Sequence, residues 1–143
     1  MIVNLQKKLK LDAKSFEPFV EKLSSTVDEA DASSFSVAFI SDRRMKELNG
    51  FFRGKDSTTD VLSFPHEPDE FEPPREGTQN YLGDIVISVE QAARQAKENK
   101  LSLENEIQQL ILHGLLHLCG YDHETDSGEM NKRELALRRR LKI

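Results

Sequence analysis

The chain has 143 residues, a formal net charge of -5 and one cysteine, Cys119. Its length is that of one domain, here residues 1–143, and suffices to bury a real core. A lone cysteine excludes a disulfide within the chain, no run of about 20 apolar residues is present to span a membrane, and MIVNLQKKLK lacks the apolar core of a secretory leader, so a cytoplasmic protein is predicted.

In chain order, Met1 to Gln6 reads as a short strand. A helix follows, with Phe16, Phe19, Val20, Leu23 and Val27 at helical spacing. Pro18 is tolerated only in a first turn, which favours Ser15 over Asp12 as the N-cap. Phe35 to Ile40 is a β-rich apolar strand. Asp42 is expected to cap a short helix with Met45 and Leu48 inward, and Val61 to Phe64 forms a third strand. Residues 65–80 hold four of the five prolines and five acids, the composition of an exposed, mobile loop. Ile85 to Val89 is a fourth strand. Ser88 and Gln91 form a capping-box pair for the next helix. Ser102 caps another, which runs to Cys119 and stops at Gly120. From Leu110 onward that helix is apolar nearly all round apart from two histidines, which places it at the centre of the domain. A last helix starts near Asp126, with Glu129 as box partner. Four strands and five or six helices, not strictly alternating, give an α+β fold.

The central helix ends in HGLLHLCGYDH, His113 to His123. At about 100° per residue, His113 and His117 share one helix face. Gly120 permits a sharp turn, through which Tyr121 and Asp122 bring His123 back to the same point. Three imidazoles in this arrangement hold one zinc ion per chain and leave a fourth position open, the mark of a catalytic site. Nickel or iron accept the same donors. His66 reads as a solvated loop residue, and Cys119 as a small buried side chain. A metalloprotease helix carries a glutamate at the position of Gly114, so its general base is absent here.

The eleven-residue block resembles H-G-x-L-H-L-x-G-Y-D-H, the signature of the YbeY family of bacterial endoribonucleases. RGKDSTTDVLSFP, Arg53 to Pro65, is similar to a second block of that family, with Thr58 where the pattern has proline, and LGDIVIS, Leu82 to Ser88, is a weaker third. Thr58 keeps an amide proton that proline lacks, which predicts a less rigid loop there. The resemblance implies a four-stranded mixed sheet packed with helices, zinc on His113, His117 and His123, and Arg53 beside the cleft. It implies metal-dependent cleavage of single-stranded RNA, in maturation of the 3′ end of small-subunit rRNA and in ribosome quality control. Implied partners are the ribosome, a small-subunit ribosomal protein and the GTPase Era.

The acidic balance is compatible with RNA because charge is segregated. Residues 41–55 carry a net +3 and residues 131–143 a net +5, while residues 67–76 carry -4. Basic residues in a last helical turn also serve the helix dipole, and Lys55 with Asp56 suits a loop-stabilising pair. Phe51, Phe52, Tyr81 and Tyr121 are available to stack bases, with one of the two phenylalanines expected in the core. Arg53 is the candidate catalytic residue that pairs with a phosphate. Asp122 is the candidate acceptor for a ligand histidine or for a proton, with Asp84 a lesser candidate. Two rival readings are a non-catalytic ribosome-assembly factor with a structural zinc and a metalloprotease-like zinc hydrolase.

Overall fold

A computed structural model of the chain describes residues 1–67 and 80–143. Four strands, β1 (Ile2–Asn4), β2 (Ser34–Ile40), β3 (Val61–Pro65) and β4 (Tyr81–Ser88), form one sheet in the order β1-β2-β4-β3. β1, β2 and β4 run parallel, and β3 lies antiparallel to β4. Five helices accompany them: α1 (Glu17–Thr26), α2 (Asp42–Arg53), α3 (Val89–Asn99), α4 (Leu103–Leu118) and α5 (Glu129–Leu141). The fold is therefore α+β around a mixed four-stranded sheet.

Strand side chains alternate between faces, and the register of β2 on β4 sets Val37 beside Ile85 and Phe39 beside Ile87. These four residues are fully buried and form one cluster with Ile107, Ile111, Leu112, Leu115 and Leu116 of α4. α4 packs against β3 and β4 on one side and against α1, α3 and α5 around it, which is why it is apolar nearly all round. Gly114 sets its distance from the sheet: a Cβ there would lie 2.7 Å from Cγ2 of Ile85. The Ser63 hydroxyl donates to the Gly114 carbonyl at 2.9 Å, tying β3 to the same point. On the opposite sheet face α2 covers a smaller cluster of Ile40, Met45, Leu62 and Val86.

Two predicted caps are present. Ser88 accepts from the Gln91 amide at 3.3 Å and Ser102 from the Asn105 amide at 3.0 Å. Three others differ. Ser41, not Asp42, caps α2 by accepting from the Arg44 amide. The Asp42 carboxylate is taken up instead by Thr58 Oγ1, Ser88 Oγ and Arg94. Thr58, the departure from the family pattern, thus ties its loop to the start of α2 through its hydroxyl. Ser15 caps nothing, because a 3-10 turn (Ala13–Phe16) leads directly into α1 and leaves Pro18 in its first turn. α5 begins at Glu129 rather than near Asp126, whose carboxylate receives the Gly128 and Met130 amides from outside the helix, both at 2.9 Å. Most of the loop read over 65–80 lies outside the described residues. Among those described, no helix is long and apolar enough to cross a membrane.

Candidate metal centre and cleft

α4 ends in a Schellman turn: the Tyr121 amide reaches the Leu116 carbonyl at 3.1 Å and the Gly120 amide reaches that of His117 at 3.0 Å. Gly120 stands at φ +104°, which favours glycine. The turn presents the Tyr121 carbonyl to His117 Nδ1 at 2.9 Å. Asp122 then forms the next bend, its Oδ1 accepting from the Glu124 amide at 3.0 Å, and His123 returns to the helix end.

The three imidazoles converge. His117 Nε2 lies 3.2 Å from His113 Nε2 and 3.1 Å from His123 Nδ1, and one nitrogen of each ring falls within 4.8 Å of the other two. A carbonyl only accepts, so His117 carries its proton on Nδ1. His113 Nδ1 meets Oε1 of Glu134 at 2.8 Å and carries its proton there in the same way. Both Nε2 lone pairs then point inward with no proton between them, an arrangement that repels unless a cation is shared. Burial and the neighbouring His113 push the His117 imidazole below its ordinary value, against the Tyr121 hydrogen bond, which raises it. That keeps the ring neutral at neutral pH, the form that ligates a metal. The donor set therefore fits a zinc-type ion.

The groups that orient the rings come from distant elements. Glu134 stands on α5 and is buried. The Tyr121 hydroxyl donates to Glu29 at 2.8 Å, and Arg133 donates to both oxygens of Glu29 at 2.9 and 2.8 Å. With the Arg133 hydrogen bond as the leading cause, the Glu29 carboxyl is held down at about 2. This brace fixes the residue whose carbonyl aligns His117. Neither Glu134 nor Glu29 was singled out from the sequence. The available signal was an acid on an apolar stripe: Met130, Glu134, Leu137 and Leu141 share the buried face of α5.

The histidines open on a cleft of about 650 Å³ between β3 and the loop after α4, lined also by Arg53, Lys55, Asp60, Tyr121, Asp122 and Glu124. Arg53, the last residue of α2, donates to Glu124 at 3.2 Å in a solvent-exposed pair. Asp122 lines the cleft, but the histidine acceptors are Glu134 and the Tyr121 carbonyl instead. Asp84 and Tyr81 hydrogen-bond each other at 2.5 Å and line a groove on the opposite sheet face, away from the histidines. Phe51 and Phe52 are both exposed, so neither enters the core; Phe52 rests edge-on against Phe64, and the core position of α2 is filled by Met45. Asp56 pairs with Lys46 at 3.7 Å rather than with Lys55, which is left at the cleft. His66 is exposed and packs on Tyr81. Cys119 is half-buried, and burial pushes its thiol up to about 11, so it stays protonated. Of the C-terminal basic run, Arg133 and Arg138 are spent on Glu29 and Glu134.

Fold and site together define a class: an α+β protein with a three-histidine cluster able to hold a metal ion at the end of its central helix, open to a cleft flanked by basic side chains. The family model described as Endoribonuclease YbeY matches residues 1–142. The chain belongs to the YbeY family. It is 41% identical over 128 residues to an Endoribonuclease YbeY of Nautilia profundicola, covering 90% of this chain and 86% of that one. It is 50% identical over 101 residues to another from Alkaliphilus metalliredigens, covering 69% of this chain and 64% of that relative's own length. The solution structure of a Thermotoga maritima protein superposes with a TM-score of 0.61 at 31% identity, over 95% of this chain and 85% of that one.

Proposed function

We propose that residues 1–143 form one domain that hydrolyses single-stranded RNA internally, with a zinc ion on His113, His117 and His123. The observation that carries this reading is the convergence of three imidazoles, each helix histidine oriented from behind, in a cleft lined by Arg53 and Lys55. The names of the relatives, endoribonucleases of the same family, support it.

When bound, the ion supplies Lewis acidity toward a phosphodiester oxygen and a more acidic water. The side chains do the rest. Arg53 exchanges its exposed partner Glu124 for a phosphate; exposed pairs are worth about 0–1 kcal/mol, so the exchange costs little. Its planar guanidinium then offsets charge developing on the phosphate. Lys55 adds a second positive charge along the strand. Asp122 commits one oxygen to the Glu124 amide and keeps the other for a proton. The close approach of Ile85 to Gly114 leaves no room for an acid at that position, which supports a nuclease over a metalloprotease. In the cell, this activity fits cytoplasmic maturation of the 3′ end of small-subunit rRNA and ribosome quality control, with the ribosome, a small-subunit protein and the GTPase Era as partners.

The test compares single-stranded RNA, duplex RNA and single-stranded DNA, each labelled at the 5′ end. Cutting of the single-stranded RNA alone is expected, with kcat/KM about 10²-fold lower for Arg53→Ala. Equal cutting of all three substrates, or an Arg53→Ala enzyme of full activity, would overturn the reading. A 2′,3′-cyclic phosphate on the products would assign the attack to the ribose hydroxyl rather than to water.

A further inference from the structure

A second cavity, of about 510 Å³, lies on the far side of His113. It shares Asp60 and His113 with the cleft and is otherwise lined by Gln95, Asn99, Glu106, Gln109, Glu134 and Arg138 among others. Its volume falls in the range of small-ligand pockets, about 300–1,000 Å³. Unlike such pockets, however, its wall is mostly polar. Nothing in the metal-centre chemistry uses Gln95, Asn99, Glu106 or Gln109.

Two polar groups on this wall are only partly satisfied. Glu106 is 4% exposed, on the first turns of α4. Its Oε2 accepts from Asn99 Nδ2 at 3.3 Å, and among the described residues nothing donates to its Oε1. Arg138 Nε is buried with no hydrogen-bond partner, although its Nη2 holds Glu134 at 3.1 Å. Glu106 Oε1 thus stands on the cavity wall as an acceptor with no donor among the described residues, which suits an occupant that supplies one. Gln109 spends its amide hydrogens on the Ile143 carbonyl at 3.2 Å and keeps its oxygen as an acceptor.

The charge of the cavity selects among occupants. Asp60, Glu106 and Glu134 against Arg138 make it net negative, so a phosphate is repelled there while the neighbouring Arg53 and Lys55 attract one. A neutral group rich in N–H donors is favoured. Among RNA bases, guanine offers the most donors on one edge, its N1–H and N2–H₂, next to an O6 acceptor. Unpaired RNA bases are read on such edges. The donors match the carboxylate and amide oxygens of Glu106 and Gln109.

We propose that this cavity is a base-recognition pocket, which holds an unpaired guanine of the strand whose phosphate lies at the histidines. The proposal rests on the RNA-cleavage reading for its occupant. It makes Glu106 and Gln95 specificity-determining residues, apart from the groups that act on the phosphate.

The test measures binding and cleavage separately. Zinc-loaded protein is titrated with fluorescent hexanucleotides of otherwise uniform sequence that carry a single central G, A, C or U, and each oligonucleotide is checked for intactness afterwards. The same four are then scored for cleavage. A well-formed base contact discriminates by about fivefold or more. Wild type is expected to bind the guanine oligonucleotide at least about fivefold more tightly than the others. Glu106→Gln, which keeps the size but removes the charge, should bring the four within about twofold. Gln95→Ala, a substitution suited to a helix, should narrow the preference even if Glu106→Gln fails to fold. Equal binding of all four by wild type, or a preference that survives in both variants, overturns the proposal. Guanine preference in binding with no cleavage would sink the nuclease reading alone. Cleavage with no base preference would sink the pocket alone.

Discussion

Replacing Glu134 by Gln tests whether the proposed metal centre is held from behind. Glu134 bridges two groups from a buried position on α5: Oε1 lies 2.8 Å from His113 Nδ1 and Oε2 lies 3.1 Å from Arg138 Nη2. Glutamine fills the same space but offers one acceptor and one donor. If its oxygen faces His113, its amide faces the Arg138 guanidinium, donor against donor. If it flips, the amide faces the His113 N–H. Either orientation breaks one of the two bonds and removes the negative charge behind the imidazole. Partners of this kind are worth about 10- to 100-fold in metal affinity, or about 1.4–2.7 kcal/mol. Zinc competition against a chromophoric chelator should therefore show Glu134→Gln weaker by that factor. Arg138→Met leaves the Glu134–His113 bond in place and should lose less than about threefold. A Glu134→Gln protein with wild-type zinc affinity would refute the reasoning.

Gly114→Ala forces a Cβ to 2.7 Å from Ile85 Cγ2, inside the core. Overpacking costs about 1–3 kcal/mol and the better helix former returns about 0.5–1. Urea titration should find the variant about 1–2 kcal/mol less stable, and equal or higher stability would show that β4 yields to it. The Glu29 carboxyl, held near 2 in the fold from an ordinary 4.5, contributes stability that is complete above that ordinary value. That contribution is lost as pH falls from about 4.5 toward about 2. Arg133→Met removes the main cause, so its stability should fall less steeply than that of wild type between about pH 5 and 3, and parallel profiles would contradict the assignment.

The parts of the fold legible in the sequence were those written in local patterns. β2 alternates, α4 from Leu110 onward is apolar nearly all round apart from its two histidines, and Ser88 and Ser102 stand where helix-start amides need an acceptor. The trihistidine set was legible because helical geometry fixes two of its members and Gly120 permits the third. What was not legible depends on approach between distant segments. Glu134 lies 21 positions from His113 and Glu29 lies 92 from Tyr121, and only packing of α5 and the turn before β2 onto α4 brings them together. Asp122 looked like the histidine partner because it is adjacent in sequence, yet the Schellman turn gives that place to a backbone carbonyl. One of Phe51 and Phe52 was expected in the core because both are large and apolar, but α2 turns both toward solvent and Met45 inward.

The three histidines are proposed to form a metal centre that cuts RNA. The most direct measurement purifies wild type and His117→Ala identically, determines the zinc content of each, and incubates both with a 5′-labelled single-stranded RNA. About one zinc per wild-type chain together with cleavage is expected, and the loss of both in the variant. Equal cleavage by the two preparations would contradict it and leave the histidines with a structural metal.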